Sequence, residues 1–417
     1  MAELSQPETW QQVCTSPLVT KTAVSTGYLP EHDPGRGSVP YVPRYSFDGV
    51  KDHPSKVEID FFLACAEMPD LSGISLSLPQ EAWDNLSSLQ LEFLLLATYA
   101  MRRGATANGI LSAILNADGT GVGKTRQILA LIMLFLLVGY GNNGNAPSSS
   151  NASCRGLFLT ANADLAKALK SEWKVLGGQE NCIISSVSDS PSPAILCTSY
   201  TVFAKDDNNN DIVRWWLKGA SEVMIVADEA HKILSQSKKT QRFNNFQSLV
   251  KDFPNAFIPN FSATPADTIE GLASSWRSFL SIPGVAQQNV PPGLSVSLIS
   301  GALQFAKESA HPEIMSAKNT LHKAAIVQMA NEGIYVLRRL EMSGIRWSRQ
   351  SISMETIHPT LNMTYRAIYD DYAFYLMNLF IGLNDTKNML TLAQKVMNEV
   401  ASHFHALSAI EYAKDRL

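Results

Sequence analysis

A glycine-rich run at residues 118–125, DGTGVGKT, contains the residue types that bind nucleotide phosphates. Its three glycines let the backbone approach an anion, because no Cβ atom stands in the way. The N–H groups of such a loop, and of a helix that begins behind it, point at the phosphates. Lys124 is expected to reach the β- and γ-phosphates, and Thr125 to place its hydroxyl on Mg²⁺. The residues predicted to contact the nucleotide here are Gly119, Thr120, Gly121, Val122, Gly123, Lys124, Thr125 and Arg126.

A pair of acidic residues follows the strand-like run at residues 222–227, EVMIVA, and begins the sequence DEAH. Acids at this end of a strand are well placed for metal chemistry, because open α/β sheets bind ligands at that edge. Asp228 is predicted to hold Mg²⁺, and Glu229 to orient and deprotonate the attacking water. His231 is expected to hydrogen-bond to a neighbouring motif and to relay the state of the nucleotide.

Short hydroxyl side chains follow another strand-like run, residues 255–261. Ser262, Ala263 and Thr264 are a weak signal by themselves, but their position after the acidic pair strengthens it. Hydroxyl groups here can bond to the acidic run. We therefore predict that this tripeptide couples hydrolysis to movement.

A glutamine lies upstream of the phosphate loop, in residues 86–103, whose apolar spacing predicts a helix. The amide of Gln90 can donate to and accept from an adenine edge at the same time. Helicase-like ATPases place a glutamine upstream of the phosphate loop for that task. We predict an adenine contact for Gln90, and a solvated helix glutamine is the alternative.

Strand-like and helix-like segments alternate around these residues. An apolar run at residues 109–117 leads into the phosphate loop, and an apolar helical run at residues 128–138 follows it. Residues 157–159 and 194–205 continue the alternation. The pattern predicts an α/β fold with a parallel β-sheet flanked by helices.

Other segments carry weaker patterns. Residues 1–52 are rich in Pro, Gly, Ser and Thr, which predicts a flexible arm with little regular structure. Residues 57–66 are expected to be helical, and residues 206–211, DDNNND, to form a polar insert. Residues 316–340 are expected to form one or two long helices.

The composition limits the class of protein. Of the 417 residues 45% are hydrophobic, and the net charge of −4 excludes a polycationic nucleic-acid coat protein but allows a local basic groove. The longest apolar run is too short for a membrane span, and the first residues lack the apolar core of a signal peptide. Five cysteines without metal-ligand spacing indicate reduced thiols in an intracellular protein. Four basic residues could touch a nucleic-acid backbone or form a solvated loop: Lys232, Lys238, Lys239 and Arg242.

Four ordered motifs resemble the first RecA-like lobe of a superfamily 2 helicase, and they are similar to the strawberry notch family within it. These motifs are LQLE (residues 89–92), DGTGVGKTRQ (118–127), VADEAHK (226–232) and SATPA (262–266). The likeness includes YVP (41–43), HPSKVE (53–58) and GIYVLRRLEMSGIRW (333–347). The resemblance implies a RecA-like P-loop fold and an ATP hydrolase of the DEAH-box type that uses ATP and Mg²⁺.

The sequence departs from the family where the family has GKG, DECH and SATGAS. The residues here are GKT, DEAH and SATPAD, which are closer to the general helicase form. Asp118 stands where the strict phosphate-loop pattern has glycine, a position that helicase-like ATPases often relax. These departures leave the expected ATP chemistry in place.

The resemblance also implies the biological setting. The family is expected to be nuclear, to act on DNA or RNA by translocation or remodelling, and to work with regulators of transcription or chromatin. It continues into a second RecA-like lobe with the arginine-finger pattern QxxGRxxR, which this sequence does not contain. The expected organisation is an arm at residues 1–52, an ATP-binding lobe at 53–280, and a mainly helical extension at 281–417 that leads to a missing second lobe, supplied in cis or in trans.

Two other functions are compatible with these motifs. The chain could be a phage or bacterial helicase-like protein acting on DNA. It could also be a non-hydrolysing module that binds nucleotide and presents its helical half to a partner. The presence of Lys124, Asp228 and Glu229 together argues against the second alternative, because a protein without hydrolysis has no chemical need for all three.

Overall fold

The structure is a computed structural model, in which the chain divides into two compact units, Met1–Met342 and Ser343–Leu417. It describes residues 10–28, 38–106, 112–138, 154–161, 165–187, 194–205, 207–234, 241–254, 256–263, 323, 326–327 and 329–341, all in the first unit. Thr264 and the helices expected beyond residue 342 lie outside the described residues.

The described strands and helices are numbered in chain order. The strands are β1 (Leu18–Thr22), β2 (Val24–Ser25), β3 (Ser38–Pro40), β4 (Tyr45–Ser46), β5 (Val57–Asp60), β6 (Ser75–Pro79), β7 (Ser112–Asn116), β8 (Cys154–Thr160), β9 (Ile183–Ile184), β10 (Ala194–Ser199), β11 (Glu222–Asp228), β12 (Phe257–Phe261), β13 (Tyr335–Val336) and β14 (Arg339–Leu340). The helices are α1 (Trp10–Val13), α2 (Phe61–Ala64), α3 (Gln80–Asn85), α4 (Ser88–Thr106), α5 (Lys124–Val138), α6 (Leu165–Val175), α7 (Tyr200–Lys205), α8 (Asp207–Lys218), α9 (His231–Leu234) and α10 (Gln241–Asp252).

A parallel sheet with the strand order β13-β7-β12-β11-β8-β10-β9 forms the centre of the first unit. Successive side chains of a strand point to opposite faces, and β11 is apolar on both. Met224 and Val226 pack into one apolar cluster, whereas Ile225 and Ala227 pack into another. A strand buried on both faces is typical of a parallel sheet covered by helices.

Helices cover both faces of this sheet. On one face, α4, α5 and α6 bury Leu94, Phe135 and Trp173. On the other face, α8 and α10 bury Trp216 and Phe246. The predicted α/β fold, a parallel sheet flanked by helices, is confirmed.

The apolar run behind the phosphate loop forms helix α5, and its side chains at residues 128–137 are all buried. Its apolar character therefore serves packing against α4 and the sheet. Within the described ranges, no helix combines the length and the hydropathy that crossing a membrane requires.

The prediction of little regular structure in residues 1–52 is wrong for the described residues 10–28 and 38–52. Strand β1 pairs antiparallel with β6, β2 pairs with β4, and β3 pairs with β5. Val13 is fully buried, and Tyr45 and Phe47 are nearly so. A few well-placed apolar side chains thus anchor a segment whose overall composition is typical of a disordered arm.

Three other expectations differ from the structure. Residues 57–60 form a strand rather than a helix, because they pair with β3 and β14. The expected polar insert at residues 206–211 overlaps helix α8, whose later residues Val213 and Leu217 are buried. In the segment expected to be long helices, Tyr335–Val336 and Arg339–Leu340 are strands paired with β7 and β5.

Candidate functional site

The phosphate loop joins β7 to α5 and has a backbone that requires glycine at two positions. Gly121 and Gly123 have φ angles of +90° and +89°, in the left-handed region that side chains disfavour. A Cβ atom on Gly123 would lie 2.2 Å from Nε2 of Gln90, and one on Gly121 would lie 2.7 Å from Cδ1 of Leu340. The glycines are therefore needed for conformation and for close packing alike.

The loop presents hydrogen-bonding groups to its outer side. Among the described residues, none accepts a hydrogen bond from the backbone N–H groups of residues 120–123. Thr120 and Thr125 are exposed, whereas Val122 is fully buried in a small apolar cluster with Leu89. The buried valine anchors the loop, and the N–H groups of residues 120–123 suit an anion.

Lys124 begins α5 and lies back across the loop. Its Nζ donates to the carbonyl oxygens of Asp118, at 2.6 Å, and Gly119, at 3.1 Å. Burial lowers the pKa of Lys124, while the negative charges of Asp118, Glu229 and Asp228 act to raise it. The ammonium group and the two acids of the DEAH run therefore belong to one electrostatic site.

The two acids of this run differ in environment. Asp228 is the last residue of β11, and burial, together with the charge of Glu229, raises the pKa of Asp228 to about 6. Glu229 has a φ of +51° and is the non-glycine residue with a positive φ in the described part of the chain. Such a conformation costs about 1–3 kcal/mol and is concentrated at functional sites. No sequence pattern indicates this strain, because it follows from how β11 ends.

His231 makes the contact that its place in the DEAH run predicts. Its Nδ1 lies 2.8 Å from Oγ of Ser262 and 3.3 Å from Oε2 of Glu229. Strand β12 lies beside β11, so the sheet order brings the end of one strand to the end of the other. Ala263 is partly buried beside this contact, and Thr264 lies outside the described residues. The coupling role of the tripeptide stays a prediction.

Gln90 is buried below the phosphate loop. Its Nε2 lies 3.4 Å from the carbonyl oxygen of Val122 and 3.3 Å from that of Gly123. Its Oε1 accepts from the N–H and the hydroxyl of Ser87. Gln90 is not a solvated helix residue, and its amide supports the loop, so an adenine contact would require these hydrogen bonds to change.

Arg126 is engaged with neighbouring helices. Its Nε lies 2.9 Å from Oε2 of Glu172 on α6, and its Nη1 donates to the carbonyl oxygen of Asn85 at 3.2 Å. The Arg126 side chain is about two-fifths exposed. Its predicted contact with the nucleotide therefore competes with an existing ion pair and stays a prediction.

The predicted basic patch is only partly described. Lys232 is exposed, and Nη2 of Arg242 donates to the hydroxyl of Thr201 at 3.1 Å. Lys238 and Lys239 lie outside the described residues. A nucleic-acid contact here stays a prediction.

Sequence reasoning missed a buried arginine beside the loop. Arg338, which is fully buried, forms an ion pair with the equally buried Asp118 at 2.7 Å. Gln127 also donates to this carboxylate, at 3.0 Å. The one signal in the sequence was the unusual aspartate at the first loop position, since a buried carboxylate needs a partner.

Side chains that carry oxygen atoms decide whether this site could hold a metal ion. In the described part of the chain, no group of three or more His, Cys, Asp or Glu side chains could hold a metal ion alone. Asp228 and Thr125 nevertheless offer the oxygen atoms that Mg²⁺ prefers when it shares its ligands with phosphates and water. The pKa of Asp228 is raised to about 6 although the charge of Lys124 acts to lower it. Lys124 therefore does not fully compensate the negative charge of this carboxylate, and a cation could still bind to it. These residues therefore fit Mg²⁺ bound together with a nucleotide.

Two known proteins are similar to parts of this chain. The lactate dehydrogenase (NAD(+),ferredoxin) subunit LctC of Acetobacterium woodii is 28% identical over 196 residues, which are 44% of this chain and 46% of that protein. The SWI2/SNF2 ATPase core domain of Sulfolobus solfataricus is 15% identical with a TM-score of 0.36, over 76% of this chain and 56% of that one. The chain thus spans about half the length of each.

A family model provides the stronger result. Residues 52–291 match the family described as P-loop containing NTP hydrolase pore-1. This range is more than half of the chain, and it contains the phosphate loop, the DEAH run and Ser262. The chain belongs to the P-loop containing NTP hydrolase pore-1 family.

Proposed function

We propose that this chain is the ATP-binding lobe of a nucleic-acid-dependent, helicase-like ATPase of superfamily 2, similar to the strawberry notch family. One observation carries the proposal: Lys124, the DEAH acids and the His231–Ser262 contact meet at one edge of a parallel sheet. Membership of an NTP hydrolase family supports hydrolysis. The choice of ATP and the helicase-like character depend on the ordered motifs.

The residues of the site divide the task of hydrolysis. The loop N–H groups and Lys124 would bind the phosphates, and Thr125 and Asp228 would hold Mg²⁺. The bound cation supplies neutralisation of charge on the phosphates. Glu229 would orient the water and accept its proton. His231 lies within hydrogen-bonding distance of Ser262, and the N–H of Ser262 donates to the carbonyl oxygen of Asn116 at the end of β7. A change at the acidic run can therefore reach the strand that leads into the phosphate loop.

The partners follow from the same proposal. DNA or RNA would stimulate turnover, and a second RecA-like lobe, in cis or in trans, would complete the nucleotide site. We further propose a nuclear role in translocation or remodelling with regulators of transcription or chromatin. These points depend on the likeness to the strawberry notch motifs.

The decisive experiment is ATP turnover by residues 1–417, measured alone, with DNA and with RNA. Glu229→Gln is expected to lower turnover by about 100-fold or more, because it removes a general base, while ATP binding stays intact. Glu222→Gln, at the opposite end of β11, is the matched control and is expected to retain turnover.

The outcomes separate the candidate functions. Turnover stimulated by one nucleic acid and lost in Glu229→Gln supports the proposal and identifies the partner. Binding without turnover, even with a second lobe added, would contradict hydrolysis and favour the non-hydrolysing module. Equal turnover in Glu229→Gln and in the unaltered protein would show that another residue positions the water.

A further inference from the structure

Two fully buried charges from distant parts of the chain meet at the first residue of the phosphate loop. Nε of Arg338 lies 3.0 Å from Oδ1 of Asp118, and Nη2 lies 2.7 Å from Oδ2. Neither side chain has any exposed surface. Two parallel charge-assisted hydrogen bonds of this kind fix the direction of both groups as well as their distance.

The backbone of residues 336–338 forms hydrogen bonds with the residues on either side of Asp118. The N–H of Ala117 donates to the carbonyl oxygen of Val336, and the N–H of Gly119 donates to that of Arg338, both at 2.6 Å. These bonds continue the parallel pairing of β13 with β7 into the loop. Three consecutive residues at the start of the loop are therefore held by residues 336–338.

Arg338 is held in turn by helix α4. Its Nη1 donates to the carbonyl oxygen of Leu89 at 2.9 Å and lies 3.5 Å from Oε2 of Glu92. Both residues flank Gln90, whose amide supports the last residues of the loop. One helix thus positions the loop at both ends, through Arg338 at the beginning and through Gln90 at the end.

The contacts of Arg338 need the shape of arginine. The guanidinium donates to a carboxylate with two groups and to a carbonyl with a third, and it lies 5.2 Å from the ring centre of Tyr41. A lysine ammonium is a compact charge on a flexible stem and cannot reproduce this planar set of donors. The position therefore depends on geometry in addition to charge.

We propose that Arg338 is a positioning residue of the nucleotide site, which sets the start of the phosphate loop through Asp118. The inference depends on the proposed function, because it assigns Arg338 to the same nucleotide site. It also makes the segment after residue 333 part of the ATP-binding unit, although the matched family range ends at residue 291.

The test compares ATP binding by Arg338→Lys, Arg338→Met and Arg339→Met in the full chain, with a fluorescent ATP analogue and Mg²⁺. Arg338→Lys is expected to weaken binding by about tenfold or more, because a small displacement of a binding group has effects of this order. Arg339→Met is the matched control, since Arg339 is the next residue and pairs at the surface with Glu58 and Asp60. It is expected to bind ATP as the unaltered protein does.

A readout besides affinity separates positioning from folding. Thermal unfolding and circular dichroism show whether each variant folds, and Arg338→Lys keeps the charge in case Arg338→Met does not fold. A second substitution, Asp118→Asn, is expected to weaken binding less in Arg338→Met than in the unaltered protein, because the pair acts as a unit.

Each outcome is decisive. A folded Arg338→Lys variant with unchanged affinity for ATP would overturn the inference. An equal loss of ATP affinity in Arg338→Lys and Arg339→Met would overturn it too. An Arg338→Lys variant that fails to fold would show a purely structural residue and would overturn it as well. Lys124→Ala in the same assay tests the proposed function separately: normal ATP binding by that variant would refute the phosphate-loop assignment itself.

Discussion

Two aspartates near Lys124 differ in burial and in the groups that compensate their charge. Asp118 is fully buried and paired with Arg338 through two hydrogen bonds. Asp228 is partly buried beside a second acid, and its pKa is raised to about 6. Asp118 thus has a built-in partner for its charge, whereas we propose that Asp228 accepts a cation. In this proposal the two residues have different tasks within one site.

The raised pKa of Asp228 predicts pH-dependent nucleotide binding. Below about pH 6 the carboxyl is mostly protonated and cannot hold Mg²⁺. Affinity for ATP with Mg²⁺ is expected to be highest above that pH and to fall by up to about tenfold for each unit below it. The measurement is ATP affinity between neutral and mildly acidic pH.

The control removes the titrating group. Asp228→Asn is expected to bind Mg²⁺ poorly at every pH, so its affinity for ATP would report the titration of the nucleotide itself. The ratio of the two affinities is therefore the quantity to compare. A constant ratio across the range would mean that Asp228 does not hold the metal ion.

At the scale of elements, helix α4 supports the conformation of the phosphate loop. Gln90 and Arg338 link this helix to the end and the beginning of the loop. Strand β14 adds Leu340 against Gly121 from another side. The loop conformation is thus a property of several elements, although the glycine pattern alone identifies the loop.

Replacing Gly123 with alanine tests this support. The left-handed φ costs about 1–2 kcal/mol for any L side chain, and the new Cβ would also displace the Gln90 amide. Gly123→Ala is therefore expected to lower the free energy of unfolding and to weaken ATP binding. Urea unfolding and ATP titration measure the two effects.

Gly73→Ala is the matched control for this substitution. Gly73 has a φ of +80°, close to that of Gly123, and a Cβ atom added to it would meet no described residue within 4 Å. The control carries the same backbone cost without the clash. An equal decrease in the free energy of unfolding in both variants would show that the contact between Gln90 and the loop does not contribute to stability.

At the scale of the whole first unit, the N-terminal residues 10–28 pack into the apolar core. Trp83 donates from its indole nitrogen to the carbonyl oxygen of Val19 at 2.9 Å, and β1 pairs with β6 along its length. Val13 and Cys14 lie in the same apolar cluster as helix α5. Residues 10–28 therefore contribute to the core that holds the nucleotide site.

The substitution Val13→Ala measures that contribution. Val13 is fully buried, so removing two methyl groups is expected to destabilise the fold by about 1–3 kcal/mol. Val24→Ala is the same change in the same segment at a side chain that is 62% exposed, and it is expected to stay within about 0.5 kcal/mol. Equal unfolding midpoints in urea for the two variants would mean that the segment is not part of the cooperative unit.

The sequence by itself determined the local chemistry of this protein. The loop glycines, Lys124 and the DEAH acids are recognisable because phosphate binding needs small residues and a cation close together in the chain. Alternating apolar segments likewise predicted the α/β sheet, since hydrophobic periodicity is a local property. The N-terminal strands were not predictable in the same way, because their stability comes from partners far along the chain.

Only the tertiary structure decided which distant residues meet. The order of strands places β12 between β7 and β11 and so brings Ser262 to His231. The pairing of β13 with β7 brings Arg338 to Asp118 across 220 positions of sequence. No local pattern encodes such contacts, because they arise when separate elements bury their apolar faces together and leave each buried charge to find its partner.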